Sequence, residues 1–241
     1  MKKSLLLILC GCMFFISVRA QEENQSESEN SVITLNGSSY DFIFNWSKKA
    51  KESHWTGLGF AFSQLNNLEG ADLNLSRSYS IILNVGDYIV PINRNWLFVT
   101  GAGLDFSRYQ IRGNNALQVS DNITQFVPGN ETQEYRNNRL IVRYVTIPLL
   151  LEYQARSFFI YGGVEGLINV FSRSRAEIKT PDDTKKVSYK NLNILPLNFR
   201  FTLRAGIDDF SVFGYYQPIS MFEKDKGPNV NSSGIGIMLN F

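Results

Sequence analysis

The chain has 241 residues, room for one ordinary domain or one small barrel, and its 24 Lys and Arg against 22 Asp and Glu leave a formal charge of +2. That balance offers no basic excess to a nucleic-acid partner. Seven prolines are too few for a proline-rich linker, and a single histidine with two cysteines leaves little material for metal or thiol chemistry.

The N-terminus reads Met1-Lys2-Lys3, an apolar run from Leu5 to Val18, then Arg19-Ala20-Gln21. This is a basic segment, an apolar segment and a small-residue cleavage site with Val18 and Ala20 in the key positions. The run falls short of the about 20 apolar residues that a transmembrane helix needs. A signal peptide over residues 1–20, removed after Ala20, is therefore expected. Leu9-Cys10-Gly11-Cys12 also resembles a lipobox, in which Cys12 would be acylated instead. Both cysteines lie in this segment, so the exported chain would contain no disulfide and no thiolate ligand. Loss of Lys2, Lys3 and Arg19 would move the formal charge to −1. Residues 21–53 follow as a polar leader and short periplasmic segment. Gln21 to Ser31 has the composition of a disordered stretch, and Tyr40 to Trp46 is strand-like but placed outside the barrel.

Over residues 54–241 the hydrophobic period becomes two, the strand signature. The first segment opens at His54, where Leu58, Phe60 and Phe62 oppose Gly57, Gly59, Ala61 and Ser63. Next, Tyr79, Ile81, Leu83 and Val85 oppose Ser78, Ser80, Asn84 and Gly86. Trp96, Phe98, Leu104 and Phe106 oppose Gly101, Gly103, Asp105 and Ser107; Val145, Ile147, Leu149 and Leu151 oppose Tyr144, Thr146 and Glu152. Pro148 interrupts that strand, and because proline cannot donate to a ladder it predicts a β-bulge there. Phe158, Ile160, Val164 and Ile168 oppose Tyr161, Gly163, Glu165 and Asn169. The alternation is cleanest from Leu197 to Ile207, with Phe199, Phe201 and Leu203 on one face and Arg200, Thr202 and Arg204 on the other. Phe210 to Ile219 is strand-like with undecided faces, and Gly234 to Phe241 completes about eight strands.

The connections alternate in length. Leu65–Ser76, Gln110–Arg139, Ser172–Asn191 and Met221–Asn231 are long, while those near Asn93–Asn95, Ala155–Ser157 and Asp208–Asp209 are short. Every long loop thus falls at one end, the pattern of an outer-membrane barrel with short periplasmic turns and longer extracellular loops. The fold class expected is all-β, an antiparallel up-and-down transmembrane barrel. A lipocalin-like soluble barrel is the competing architecture.

In a membrane barrel the apolar face meets lipid and the polar face fills the interior. The small and charged face suits a narrow lumen, which eight strands leave just wide enough for side chains to fill. Asp105, Arg143, Glu152, Glu165, Arg200 and Arg204 are the candidate lumen network, tolerable there only if they pair. Trp55, Trp96, Tyr109, Tyr153, Phe158, Phe210, Phe222 and Phe241 are the candidate interfacial aromatics. A plugged lumen follows.

The last strand carries Ile235, Ile237, Leu239 and a terminal Phe241 at alternate positions, and looks like the C-terminal signature that such barrels present to the barrel-assembly machinery. His54-Trp55-Thr56-Gly57-Leu58-Gly59, Val99-Thr100-Gly101-Ala102-Gly103-Leu104-Asp105 with Tyr109, and Ile147-Pro148-Leu149-Leu150-Leu151-Glu152-Tyr153 resemble the PorT-like outer-membrane β-barrel domains of Bacteroidetes. The resemblance spans Ser53 to Phe241. It implies a small barrel in the outer membrane and carries no ligand and no catalytic motif.

Chemistry is sparse elsewhere. His54 has no Ser or acid at a recognisable spacing for general-base catalysis. Glu152 and Glu165 could form a glycosidase-like pair, but pairing with lumen arginines is the reading favoured. Gly101-x-Gly103 is not followed by a helix and is no dinucleotide fingerprint. Arg112, Arg136 and Arg139 with Tyr109 and Tyr135 are too generic for nucleic-acid recognition. The expectation is a non-enzymatic surface barrel without cofactors or nucleic-acid partner, contacting outer-membrane lipids and an extracellular ligand or partner through its long loops. A narrow channel or a transport or secretion accessory of the outer membrane is the alternative, and an outer-membrane lipid-modifying enzyme is the less favoured one.

Overall fold

The computed structural model of the protein describes residues 52–68, 71–156, 158–181 and 183–241. The signal peptide, the cleavage site after Ala20, the lipobox at Cys12 and all of the polar leader except Glu52 and Ser53 lie outside the described residues.

The described chain is all-β, with one 3-10 turn at Leu75–Arg77. Its strands are β1 (Gly57–Asn66), β2 (Asp72–Leu73), β3 (Tyr79–Pro91), β4 (Trp96–Arg112), β5 (Asn115–Ser120), β6 (Ile123–Pro128), β7 (Glu134–Ala155), β8 (Phe158–Lys179), β9 (Thr184–Lys190), β10 (Leu197–Ile207), β11 (Phe210–Tyr216) and β12 (Asn231–Asn240). Eight of them, β1, β3, β4, β7, β8, β10, β11 and β12, pair antiparallel in chain order. The first meets the last through a register running from Gly57↔Asn240 to Asn66↔Asn231, so the sheet closes into a barrel and leaves no edge among these strands.

Closure follows from alternation. On β10, Leu197, Phe201, Leu203 and Ile207 stand exposed while Arg200, Thr202 and Arg204 are buried. The undecided strand β11 resolves the same way, with Phe210, Val212 and Tyr216 outward and Ser211, Phe213 and Tyr215 inward. The rule of soluble proteins is thereby reversed: Leu203 is 60% and Ile235 68% exposed, whereas Arg204 is 2% exposed.

At the short-turn end the turns are tight. Asn93 Oδ1 accepts from the backbone N–H groups of Asn95 and Trp96 between β3 and β4, and Asp208–Asp209 alone joins β10 to β11, with Asp208 at φ 49°. The long connections are less loop-like than their composition implies. Gln110–Arg139 contains the β5–β6 hairpin and the start of β7, and Ser172–Asn191 is the far end of β8 and its return strand β9. Here both faces carry polar residues, so the two-residue hydrophobic period that marks a strand is missing.

Three placements differ from expectation. The first strand begins at Gly57, and His54 and Trp55 instead enter the barrel mouth. Pro148 carries no bulge: β7 keeps its register with β8 through Pro148↔Glu165. The missing donor is absorbed by a gap in the β4 ladder between the Thr100↔Leu149 and Gly103↔Thr146 pairs, and the register shifts lie elsewhere, on β3 between Asn84 and Gly86 and between β7 and β8 at Arg136/Arg139 and Arg143/Tyr144. Finally, Trp55, Tyr109 and Phe222 do not belong to an outer aromatic girdle. Each is buried, at 1%, 1% and 2% exposure, because none occupies an outward-facing strand position.

Candidate functional site

The lumen is filled in layers. In the middle one, β10 directs Arg200 inward opposite its register partner Glu165 on β8. Arg200 Nε donates to Glu165 Oε2 at 2.7 Å and Arg200 Nη1 donates to Asp105 Oδ2 of β4. Asp105 Oδ1 in turn accepts from Ser107 Oγ at 2.6 Å. Hydroxyl contacts then run Ser107–Ser80 at 2.6 Å, Ser80–Ser63 at 2.7 Å and Ser63–Tyr215 at 2.7 Å. The Tyr215 ring lies 4.6 Å from the Arg200 guanidinium carbon, which closes the circuit around the inner wall. A buried cation held by two carboxylates, one of which, Asp105, takes a further donor from Ser107, meets the requirement for charge inside a protein.

Towards the short-turn end, Arg204 takes no carboxylate among the described residues. Its guanidinium carbon lies 4.8 Å from the Tyr161 ring and 5.4 Å from the rings of Trp55 and Phe213, a cage of cation–π contacts. Trp55 reaches this position because the segment before β1 folds into the mouth, where Asn84 Nδ2 donates to the Trp55 carbonyl at 2.9 Å.

The mouth itself is closed by His54 and Glu152. Glu152 is fully buried and accepts from Gln154 Nε2 at 2.7 Å; His54 Nδ1 lies 2.6 Å from its Oε1. The His54 ring stacks on Phe159 with centroids 3.9 Å apart. Glu152 therefore pairs with His54 and not with a lumen arginine. Its register partner Tyr161 lies four residues from Glu165 on β8, which separates the two carboxylates along the strand by about 13 Å. That exceeds the ~5–9.5 Å of glycosidase pairs.

Of the six candidate lumen residues, the structure brings Asp105, Glu165 and Arg200 together, sets Arg204 and Glu152 in separate inner contacts, and places Arg143 outside. Arg143 is exposed, 4.8 Å from the Phe171 ring and 5.7 Å from the Phe106 ring. The reason is parity: Arg143 shares the odd positions of Ile147, Leu149 and Leu151, and the register shift at Arg143/Tyr144 puts its extra residue, Val170, on β8, so β7 keeps Arg143 on the outward side. Ser63, Ser80 and Ser107 were legible as inward positions, but nothing in the sequence marks them as one hydrogen-bonded circuit.

The long-loop end is sealed by apolar side chains from the connections. Leu117, Leu192, Ile194, Met221, Phe222 and Val230 pack with Tyr109, Leu140 and Tyr144 of the barrel wall. Backbone and side-chain bonds tie the connections together: Thr124 N–H donates to the Lys226 carbonyl at 2.9 Å, and Asn193 Nδ2 to the Asn122 carbonyl at 2.8 Å. On the rim, Arg136 donates to Glu134 and holds its carboxyl below the usual glutamate range. Of the expected assembly-signal positions, Ile235, Ile237 and Leu239 point outward from β12, and Phe241, just past its end, is exposed.

Among the described residues no cluster of three or more His, Cys, Asp or Glu is arranged to hold a metal ion. No protein-family model matches the sequence, and no curated protein matches it.

Proposed function

We propose that the protein is a non-enzymatic, PorT-like barrel integral to the outer membrane, with a plugged lumen, which acts by binding an extracellular ligand, a partner or an envelope component at its long-loop end. One observation carries this reading: charge is buried inside the barrel while large apolar side chains cover its outer wall. An outer apolar surface of this extent has no place in water, and it matches the lipid-facing band of a membrane barrel.

The plug is supported by the layered filling from His54 through Arg204 and Arg200 to Phe222. The binding role is supported by the β5–β6 hairpin and the β8–β9 extension, which give the rim a fixed shape. The outward apolar positions of β12 fit recognition by the barrel-assembly machinery during insertion.

Refolding into lipid vesicles, flotation, and conductance recording in a planar bilayer test the proposal. The expected outcome is a heat-modifiable band that floats with lipid and passes no steady current. A soluble, non-floating barrel would remove the membrane reading, and regular single-channel openings would favour a narrow channel.

A further inference from the structure

The outer wall at the long-loop end carries an unbalanced cluster of arginines. β4, β7 and β8 set them in rows. Arg108 faces Ile141, which faces Arg173, which faces Lys190 of β9. In the next row out, Arg139 and Arg175 are direct cross-strand partners. In the row nearest the apolar wall, Arg143 lies between Phe106 and Phe171.

Like charges directly opposite on a sheet repel. Yet none of Arg108, Arg139, Arg143, Arg173 and Arg175 forms an ion pair with the described residues. Glu177, the carboxylate nearest along β8, instead accepts from Asn137 at 2.7 Å. The Nε atoms of Arg108, Arg139 and Arg173 are buried without a hydrogen-bond partner. Beside Arg139 and Arg175 opens a cavity of about 280 Å³ that Lys186 also lines, with Glu177 as its one carboxylate.

The geometry points to a binding site for the headgroup of a lipid carrying two phosphates, formed by Arg108, Arg139, Arg143, Arg173 and Arg175. Guanidinium forks bind phosphate oxygens in pairs. The rows span about 10 Å across two strand gaps and ~7 Å between next-nearest residues along a strand, enough for two phosphates. The lipid source follows from position: the cluster abuts Phe106, Phe171 and Ile81 at the edge of the apolar wall, the level at which headgroups meet acyl chains. The inference rests on the membrane reading above.

Native mass spectrometry of the full chain, refolded in neutral detergent, tests it with three probes: a diphosphoryl glucosamine lipid, the same lipid dephosphorylated, and inorganic pyrophosphate. A heat-shift gel and vesicle flotation accompany every sample. The expected result is about tenfold greater retention of the diphosphoryl lipid, lost in Arg139→Ser/Arg173→Ser and kept in Arg77→Ser/Arg112→Ser, which removes equal charge from the rim outside the cluster. Equal retention of both lipids, or equal loss in the two double variants, overturns the site. Retention of pyrophosphate at the level of the lipid overturns the lipid assignment in favour of a soluble anion. Protein that shifts on the gel but does not float overturns the membrane reading itself, and the site with it.

Discussion

Arg200 and Glu165 face each other as register partners on β10 and β8, with Arg200 Nε 2.7 Å from Glu165 Oε2. The same guanidinium also binds Asp105 on β4, so one cation clamps three strands of the barrel wall. The clamp is close to fully buried, with side-chain exposures of 4% for Arg200, 1% for Asp105 and 3% for Glu165.

Removing one member of a buried ionic group leaves an uncompensated charge, which costs about 3–5 kcal/mol, whereas replacing the whole group by apolar residues of similar size is often neutral. Arg200→Met alone should therefore lower the urea midpoint of the refolded barrel strongly. The triple variant Asp105→Leu, Glu165→Leu, Arg200→Met should recover most of that loss. Heat-shift gels across a urea series give both midpoints. A triple variant as unstable as the three single effects added together would show that the circuit is not acting as one unit.

At the other end of the lumen the seal depends on Trp55, the largest side chain buried below 2% exposure. Trp55→Ala removes a ring from the Arg204 cage and leaves a cavity, at a cost of about 3–5 kcal/mol. Water then gains access to Arg204 from the short-turn mouth. The expected outcome is a barrel that still shifts on a gel, with a lower midpoint and faster deuterium exchange at Phe159 and Tyr161. Unchanged exchange beside a lowered midpoint would assign Trp55 to packing alone.

The alternation of β1, β4, β10 and β12 carried the fold, because each has one apolar and one small or polar face, and a slip of one residue would exchange them. The same rule placed Asp105, Glu165, Arg200 and Arg204 inward. Arg143, at an odd position of β7, stands outward, against the expectation that it joins the lumen network. Trp55 was illegible for a different reason: it precedes the first strand, where no period fixes the direction of a side chain. The extended β8–β9 rim carries no strand signature in the sequence because Arg173, Arg175, Lys186 and Ser188 give its outer face no apolar residues. The partner choice of Glu152 was likewise hidden, since only the folding back of His54 into the mouth creates it.

Two glycines on neighbouring strands separate close packing from mere permissiveness. A Cβ on Gly101 would stand 2.1 Å from the Gly86 carbonyl oxygen, a backbone atom that cannot move aside, whereas a Cβ on Gly86 meets nothing within 4 Å. Gly101 lies where the β3 bulge passes the ladder gap opposite Pro148. Gly101→Ala should cost about 1–3 kcal/mol through forced backbone shifts, and Gly86→Ala should be close to neutral. Parallel urea midpoints decide the matter, and equal effects would mean that β3 and β4 are free to separate at this point.

The rim behaves as a cover held on by a few side chains, which makes it separable from the barrel. Leu117 of the β5–β6 hairpin is 1% exposed and packs in the same cluster as Leu192, Met221 and Phe222, while the Thr124–Lys226 bond links the hairpin to the β11–β12 connection. Leu117→Asn buries an amide with no designed partner and should loosen this cover without touching the strands that close the barrel. The backbone at Lys226, pinned by Thr124 in the native rim, should then become the first site of tryptic cutting, and the barrel should remain heat-modifiable. Protection of Lys226 equal to that of the unaltered protein would mean that the β11–β12 connection holds its shape without the hairpin.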